Sequence, residues 1–150
     1  MDVSQYLDIF LDEAGEHLQS LSDQIMILEQ EPENEDTINE IFRAAHSLKG
    51  MAGTMGFKRM QRLTHDMENV FSEVRNDTIK IDSGMIDTLF QCLDAIENYL
   101  ASVKATSDEG TEDNEHIIEK LNSYLPGAAN AAAKDKAPAA ETKAEEAPAP

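Results

Sequence analysis

The chain has 150 residues, 41% hydrophobic and 28% charged, with a formal net charge of −18. That length and apolar fraction suit one domain with a single modest core, and so acidic a body repels phosphate backbones and anionic lipid, which disfavours nucleic-acid and membrane-surface roles. The one cysteine, Cys92, excludes an intramolecular disulfide framework or a multi-cysteine metal site.

The first 30 residues carry Asp2, Asp8, Asp12, Glu13 and Glu16 with no basic start, so they do not read as a secretory signal. No run of about 18 apolar residues exists to enter a bilayer, and a cytoplasmic protein is expected. Leu7, Phe10, Leu11, Ala14, Leu18, Leu21, Ile25 and Leu28 follow steps of three and four, one stripe of a long first helix. A second helix is predicted at roughly 36–54, with Ile38, Ile41, Phe42, Ala45, Leu48 and Ala52 on its stripe. A third, at roughly 58–75, carries Met60, Leu63, Met67, Val70, Phe71 and Val74. Asn76–Ile81 reads as a brief β-like run, too short for a sheet. A fourth helix follows a cap at Asp82 or Ser83 and runs through Ile86, Leu89, Leu93, Ile96, Leu100 and Val103.

Ala105–Thr111 reads as a polar loop, and a shorter fifth helix, at about 112–125, offers Ile117, Ile118, Leu121 and Leu125. The predicted fold is all-α: an antiparallel four-helix bundle with an additional short C-terminal fifth helix as an appendage. Between residues 1 and 125 the only proline is Pro32, whereas 126–150 are mostly Ala with Pro and scattered Lys and Glu, and hold no large apolar residue. The expected organisation is therefore a helical domain over 1–125 and a flexible Ala/Pro-rich linker over 126–150, in a chain cut from something longer.

One window departs from its surroundings. From Ile41 to His65 there is no Asp or Glu in 25 positions, although one residue in five of the chain is acidic. The same window holds Arg43, Lys49, Lys58, Arg59 and Arg62, five of the 12 basic residues, with His46, His65, Gly50, Gly53 and Gly56. On an acidic protein such a cationic patch attracts anions. At about 100° per residue, His46 falls roughly 120° and Lys49 roughly 60° from the centre of the second helix's stripe, on the same side. Both are expected to border solvent one turn apart. Glu68 falls roughly 120° off the third helix's stripe, facing outward, with His65 one turn before it.

Neutral imidazole is a good nucleophile near neutral pH. A carboxylate that accepts from Nδ1–H fixes the tautomer and frees the Nε2 lone pair, while a lysine compensates charge on phosphoryl oxygens. Glycines after the histidine remove bulk where a partner must come close, or else pack helices and end one. The residues alone leave two readings open: an anion-handling histidine, or a helical interaction module whose cationic patch binds an acidic partner without covalent chemistry. A di-metal carboxylate bundle fits poorly, because His65-x-x-Glu68 is reversed and faces outward. His17 and His116 read as ordinary surface residues, Phe57 as core, and the methionines as gap fillers.

The string Ala45-His46-Ser47-Leu48-Lys49-Gly50-Met51-Ala52-Gly53-Thr54-Met55-Gly56-Phe57, followed by Thr64-His65-Asp66-Met67-Glu68-Asn69, resembles the signature of histidine phosphotransfer (HPt) domains. It closely resembles the amino-terminal phosphoacceptor domains of chemotaxis histidine kinases, over about residues 3–125. The resemblance implies that His46 is the phosphorylated histidine, Lys49 the lysine beside the phosphoryl group, Glu68 the partner of Nδ1 and His65 the second histidine of that network. It implies that Gly50, with Gly53, keeps the site open. With no nucleotide-binding motif and no Mg²⁺ carboxylate cluster in the window, the chain reads as a carrier without catalytic power or cofactor of its own, and a lone acidic bundle as a monomer; the resemblance places ATP and Mg²⁺ in a separate kinase domain. The implied partners are that ATP-binding domain, acting in trans, chemotaxis response regulators, and the receptor array through the parent protein. Phosphotransfer and chemotaxis rest on the resemblance alone.

Overall fold

Five helices succeed one another in the computed structural model, which describes residues 3–125: α1 (Val3–Gln30), α2 (Glu35–Met55), α3 (Lys58–Arg75), α4 (Ser83–Thr106) and α5 (Glu115–Ser123). The expected linker, 126–150, lies outside the described residues. Helix boundaries follow local chemistry. Asn34 caps α2 by accepting from the Thr37 backbone N–H (3.1 Å), and Asp82 caps α4 by accepting from that of Met85 (2.8 Å). Gly56 ends α2 in the left-handed region (φ 79°), which costs glycine nothing. The two residues Gly56 and Phe57 then turn the chain into α3, so α2 and α3 are antiparallel neighbours.

The core runs the length of the bundle. Leu21, Ile25, Ile41, Leu48, Leu63, Met67, Phe71, Leu89 and Ile96 are all fully buried, one stripe from each long helix. Phe57 belongs to it, packed edge-to-face on Phe10 with ring centroids 5.3 Å apart. α1 packs on α2 and α4, and α2 packs extensively on α3. No helix among the described residues is long and apolar enough to cross a membrane.

Three local expectations are corrected. Asn76–Ile81 is a turn and not a strand-like run: Asp77 sits at φ 61°, and the Asp77 and Thr78 N–H groups fold back onto the carbonyls of Val74 and Glu73. Ala105 and Thr106 belong to α4, which ends at Ser107 (φ 66°) with its N–H on the Val103 carbonyl. α5 is shorter than the predicted fifth helix, yet Ile117, Ile118 and Leu121 are buried against α3 and α4, so it is part of the bundle.

The connection between α4 and α5 is polar, as its composition suggests, but it is not a passive loop. Glu109 is buried, and its two carboxylate oxygens accept from the backbone N–H groups of Arg59 (2.9 Å) and Met60 (2.8 Å). α3 has no side-chain cap of its own, since Phe57 stands at its N-cap position. Glu109 supplies that cap from 50 residues away. Arg59 also donates to Asp113 (2.7 Å) and Arg62 pairs with Glu115, so α3 and the start of α5 are tied by charge.

Candidate functional site

His46 and Lys49 stand on the edge of α2 that borders α3. Their neighbours Ala45 and Leu48 are fully buried, which turns the helix so that His46 faces solvent with 62% of its side chain exposed. Lys49, one turn on, is half-buried along the seam between the helices. On α3, buried Met67 points into the core and sets Glu68 at the same seam. Glu68 faces outward less than the helical wheel predicts: only 12% of its side chain is exposed, because His46 and Lys49 lie over it.

The Glu68 carboxylate is shared. One oxygen, Oε2, lies 2.5 Å from His46 Nδ1, and the other, Oε1, lies 2.5 Å from Lys49 Nζ. Burial acts to raise the Glu68 carboxyl, but hydrogen bonds from Lys49 and His46 outweigh it and hold the group below its ordinary value. An ionised carboxylate only accepts, so the shared proton sits on Nδ1 and the Nε2 lone pair points away from Glu68. His65 stands one turn before Glu68 and makes no hydrogen bond to His46 in this geometry; its nearest carboxylate is Asp66, 3.8 Å from Nδ1. Burial and the nearby Lys49 charge lower its pKa, favouring the neutral ring.

The three glycines of the window have three different environments. A Cβ at Gly50 would meet nothing within 4 Å, so this turn of α2 is open beside His46. Gly53 does not share that open face: a Cβ there would lie 2.6 Å from Gln61 Nε2 on α3, which makes it a packing glycine. Gly56 ends the helix. On the other side of His46 a shallow groove between α1 and α2 is lined by Tyr6, Ile9, His17, Ser47, Met51 and Met55, with Tyr6 and Ile9 among the exposed large apolar residues. His17 is thus near the site, whereas His116 is exposed at the start of α5. Among the described residues, no group of three His, Cys, Asp or Glu is placed to hold a metal ion.

Helical periodicity places Phe42 on the core stripe and gives Arg75 no role. Phe42 is only partly buried. Its ring is near-parallel to the His46 imidazole (8°, centroids 6.4 Å apart), and the Arg75 guanidinium lies 4.3 Å from the Phe42 centroid. An aromatic residue four positions before an exposed histidine is the one signal in the sequence that points to this contact.

The profile of the Hpt domain family matches residues 5–105. The chain belongs to that family. It is 40% identical to the chemotaxis protein CheA of Bacillus subtilis over 93% of its own length and 20% of that protein's. The chain spans about a fifth of the length of the curated relatives it matches. Among solved structures it is similar to the histidine phosphotransfer domain of CheA in solution (38% identity, TM-score 0.77, covering 84% of this chain and 96% of that one). It also shares its fold with the phosphorylated P1 domain of CheA3 in complex with CheY6 from R. sphaeroides (19% identity, TM-score 0.73, covering 79% of this chain and 94% of that one). In this Hpt domain His46, Lys49 and Glu68 are brought into direct contact, and His65 borders them.

Proposed function

We propose that this chain is the phosphoacceptor domain of a chemotaxis histidine kinase, with His46 receiving the γ-phosphoryl group of ATP and passing it to a response-regulator aspartate. The observation that carries the assignment to His46 is the engagement of Nδ1 by Glu68 on an imidazole otherwise open to solvent. In the first transfer the Nε2 lone pair attacks the γ-phosphorus, a P–N bond forms, and the bond to the β-phosphate oxygen breaks with ADP leaving. Positive charge that develops on the ring is balanced by the Glu68 carboxylate through Nδ1–H. Lys49, on the other oxygen of Glu68, places a cation beside the new phosphoryl group. In the second transfer an aspartate oxygen attacks phosphorus and the P–N bond breaks, returning neutral His46.

The chain acts as substrate and carrier. ATP and Mg²⁺ are held by a separate kinase domain, acting from the partner subunit in trans, and response regulators approach through the groove of Tyr6, Ile9 and Met51 beside the open turn at Gly50. Coupling to a receptor array comes through the parent protein, the setting is cytoplasmic, and the domain is a monomer. The test is transfer of labelled phosphate from ATP, with a CheA kinase core supplied separately, to this chain and to its His46→Gln variant. The expected result is an acid-labile, base-stable label on the parent alone. No label on the parent, with a core active on its own substrate domain, returns the chain to the interaction-module reading.

A further inference from the structure

We infer that Phe42, itself held by Arg75, is the positioning residue that fixes the plane of the His46 imidazole; this rests on the reading of His46 as the phosphoacceptor. One hydrogen bond does not hold an exposed ring. The bond from Nδ1 ends on Glu68, a side chain carried by a different helix, and the ring's own second torsion sits in a broad well. That bond sets the Nδ1 edge but leaves the ring free to tilt about it; a second contact fixes the plane, and the structure holds one. Phe42 lies one turn before His46 on the same helix, near-parallel at 8° and with centroids 6.4 Å apart, within the range where aromatic rings favour offset stacking.

Phe42 in turn does not depend on the core alone. It is partly buried at the edge of the apolar cluster, and the Arg75 guanidinium lies 4.3 Å from its centroid, a cation–π distance. Arg75 belongs to the last turn of α3, two turns beyond Glu68. The imidazole is therefore referenced to α3 twice: at its Nδ1 edge through Glu68, and at its plane through Phe42 and Arg75.

A fixed plane matters for one kind of donor and not for another. In-line transfer from a nucleotide held in a separate protein's site requires Nε2 to meet phosphorus at a set angle. A small donor that tumbles freely meets the lone pair whichever way the ring faces. Phosphoramidate is such a donor: the Nε2 lone pair forms the new P–N bond, the donor's own P–N bond breaks, and its nitrogen leaves with a proton as ammonia.

The experiment compares the parent with Phe42→Leu, Phe42→Tyr and Arg75→Gln, using ATP with a CheA kinase core in one arm and phosphoramidate in the other. For Phe42→Leu, which keeps apolar bulk but has no flat face, kcat with the kinase core is expected to fall about three- to tenfold, the size of a lost ring pair. KM and the phosphoramidate rate stay within about twofold of the parent, so the loss lies in orientation rather than docking or nucleophilicity. Phe42→Tyr restores kcat, and Arg75→Gln shows a smaller loss of the same kind. Side-chain couplings of His46 by NMR show one rotamer in the parent and averaging in Phe42→Leu. Equal kcat and an unaveraged ring in Phe42→Leu overturn the inference, as does an equal loss in both arms, which marks a merely structural role. No label on parent His46 from either donor overturns the phosphoacceptor reading itself.

Discussion

Two carboxylates on α3's surroundings look alike by burial and differ in everything that follows. Glu109, 6% exposed, spends both oxygens on the backbone N–H groups of Arg59 and Met60 at the start of the helix. Glu68, 12% exposed in its side chain, spends its oxygens on two side chains of another helix, Lys49 and His46. Backbone amides are fixed donors whose loss leaves a helix end unsatisfied, so Glu109 belongs to stability. Side-chain donors at a seam reach solvent on their far sides, and one of them carries a lone pair, so Glu68 is placed to serve the proposed chemistry. The identity of the partners separates the two roles where burial does not.

The comparison is sharpest at the site. Glu68→Gln replaces an obligate acceptor by an amide whose NH₂ can donate to Nδ1, moving the ring proton to Nε2. Acceptance from the kinase core is expected to slow about 10- to 100-fold, with Tm nearly unchanged. An unchanged rate breaks the tautomer-fixing role. Glu109→Ala is the converse: two backbone donors lose their acceptor, for about 2 kcal/mol and several degrees of Tm in thermal unfolding followed by circular dichroism. Acceptance per folded molecule stays at the parent's level, and a large loss of rate without loss of Tm would reverse the assignment.

The glycines extend the same contrast to smaller effects. Gly50→Ala meets open space within a helix and is expected to stabilise the domain by about 0.5–1 kcal/mol in denaturant titration. Gly53→Ala must displace the Gln61 side chain from α3 and gains less. Smallest is the effect of pH through His65. Its pKa is lowered in the fold, by burial first and by Lys49 second, so the unfolded chain binds the proton more readily. Its contribution is fully present above the unfolded value of about 6.5 and is lost as pH falls below it. In His65→Gln the stability slope just below about pH 6.5 is expected to flatten, and an unaltered slope would assign it to other groups.

Much of this was legible in the sequence, for reasons tied to distance along the chain. The apolar steps of Leu7 to Leu28, or of Ile86 to Val103, place each core face because a helix repeats every 3.6 residues. The same arithmetic put His46 at the surface with Lys49 beside it. What escaped it were contacts between helices and loops. Nothing near Lys58 says that its helix is capped from Glu109, and nothing near Glu109 distinguishes it from the other acids of a polar loop. Phe42 fell on the stripe and was counted as core, although the bundle leaves it at the rim with Arg75 on it. Gly53 looked like its neighbour Gly50 until α3 brought Gln61 against it.

The long reach of the Glu109 cap also sets an order of events during synthesis. Met60 leaves the ribosome 49 residues before the carboxylate that holds its amide. At about 5–20 residues per second, α3 waits roughly 2–10 s for its first turn to be closed. The first turn of the helix that presents Glu68 to His46 therefore gains its acceptor only when the segment leading to α5 has emerged, and a nascent chain stopped before residue 109 carries the amides of Arg59 and Met60 without it.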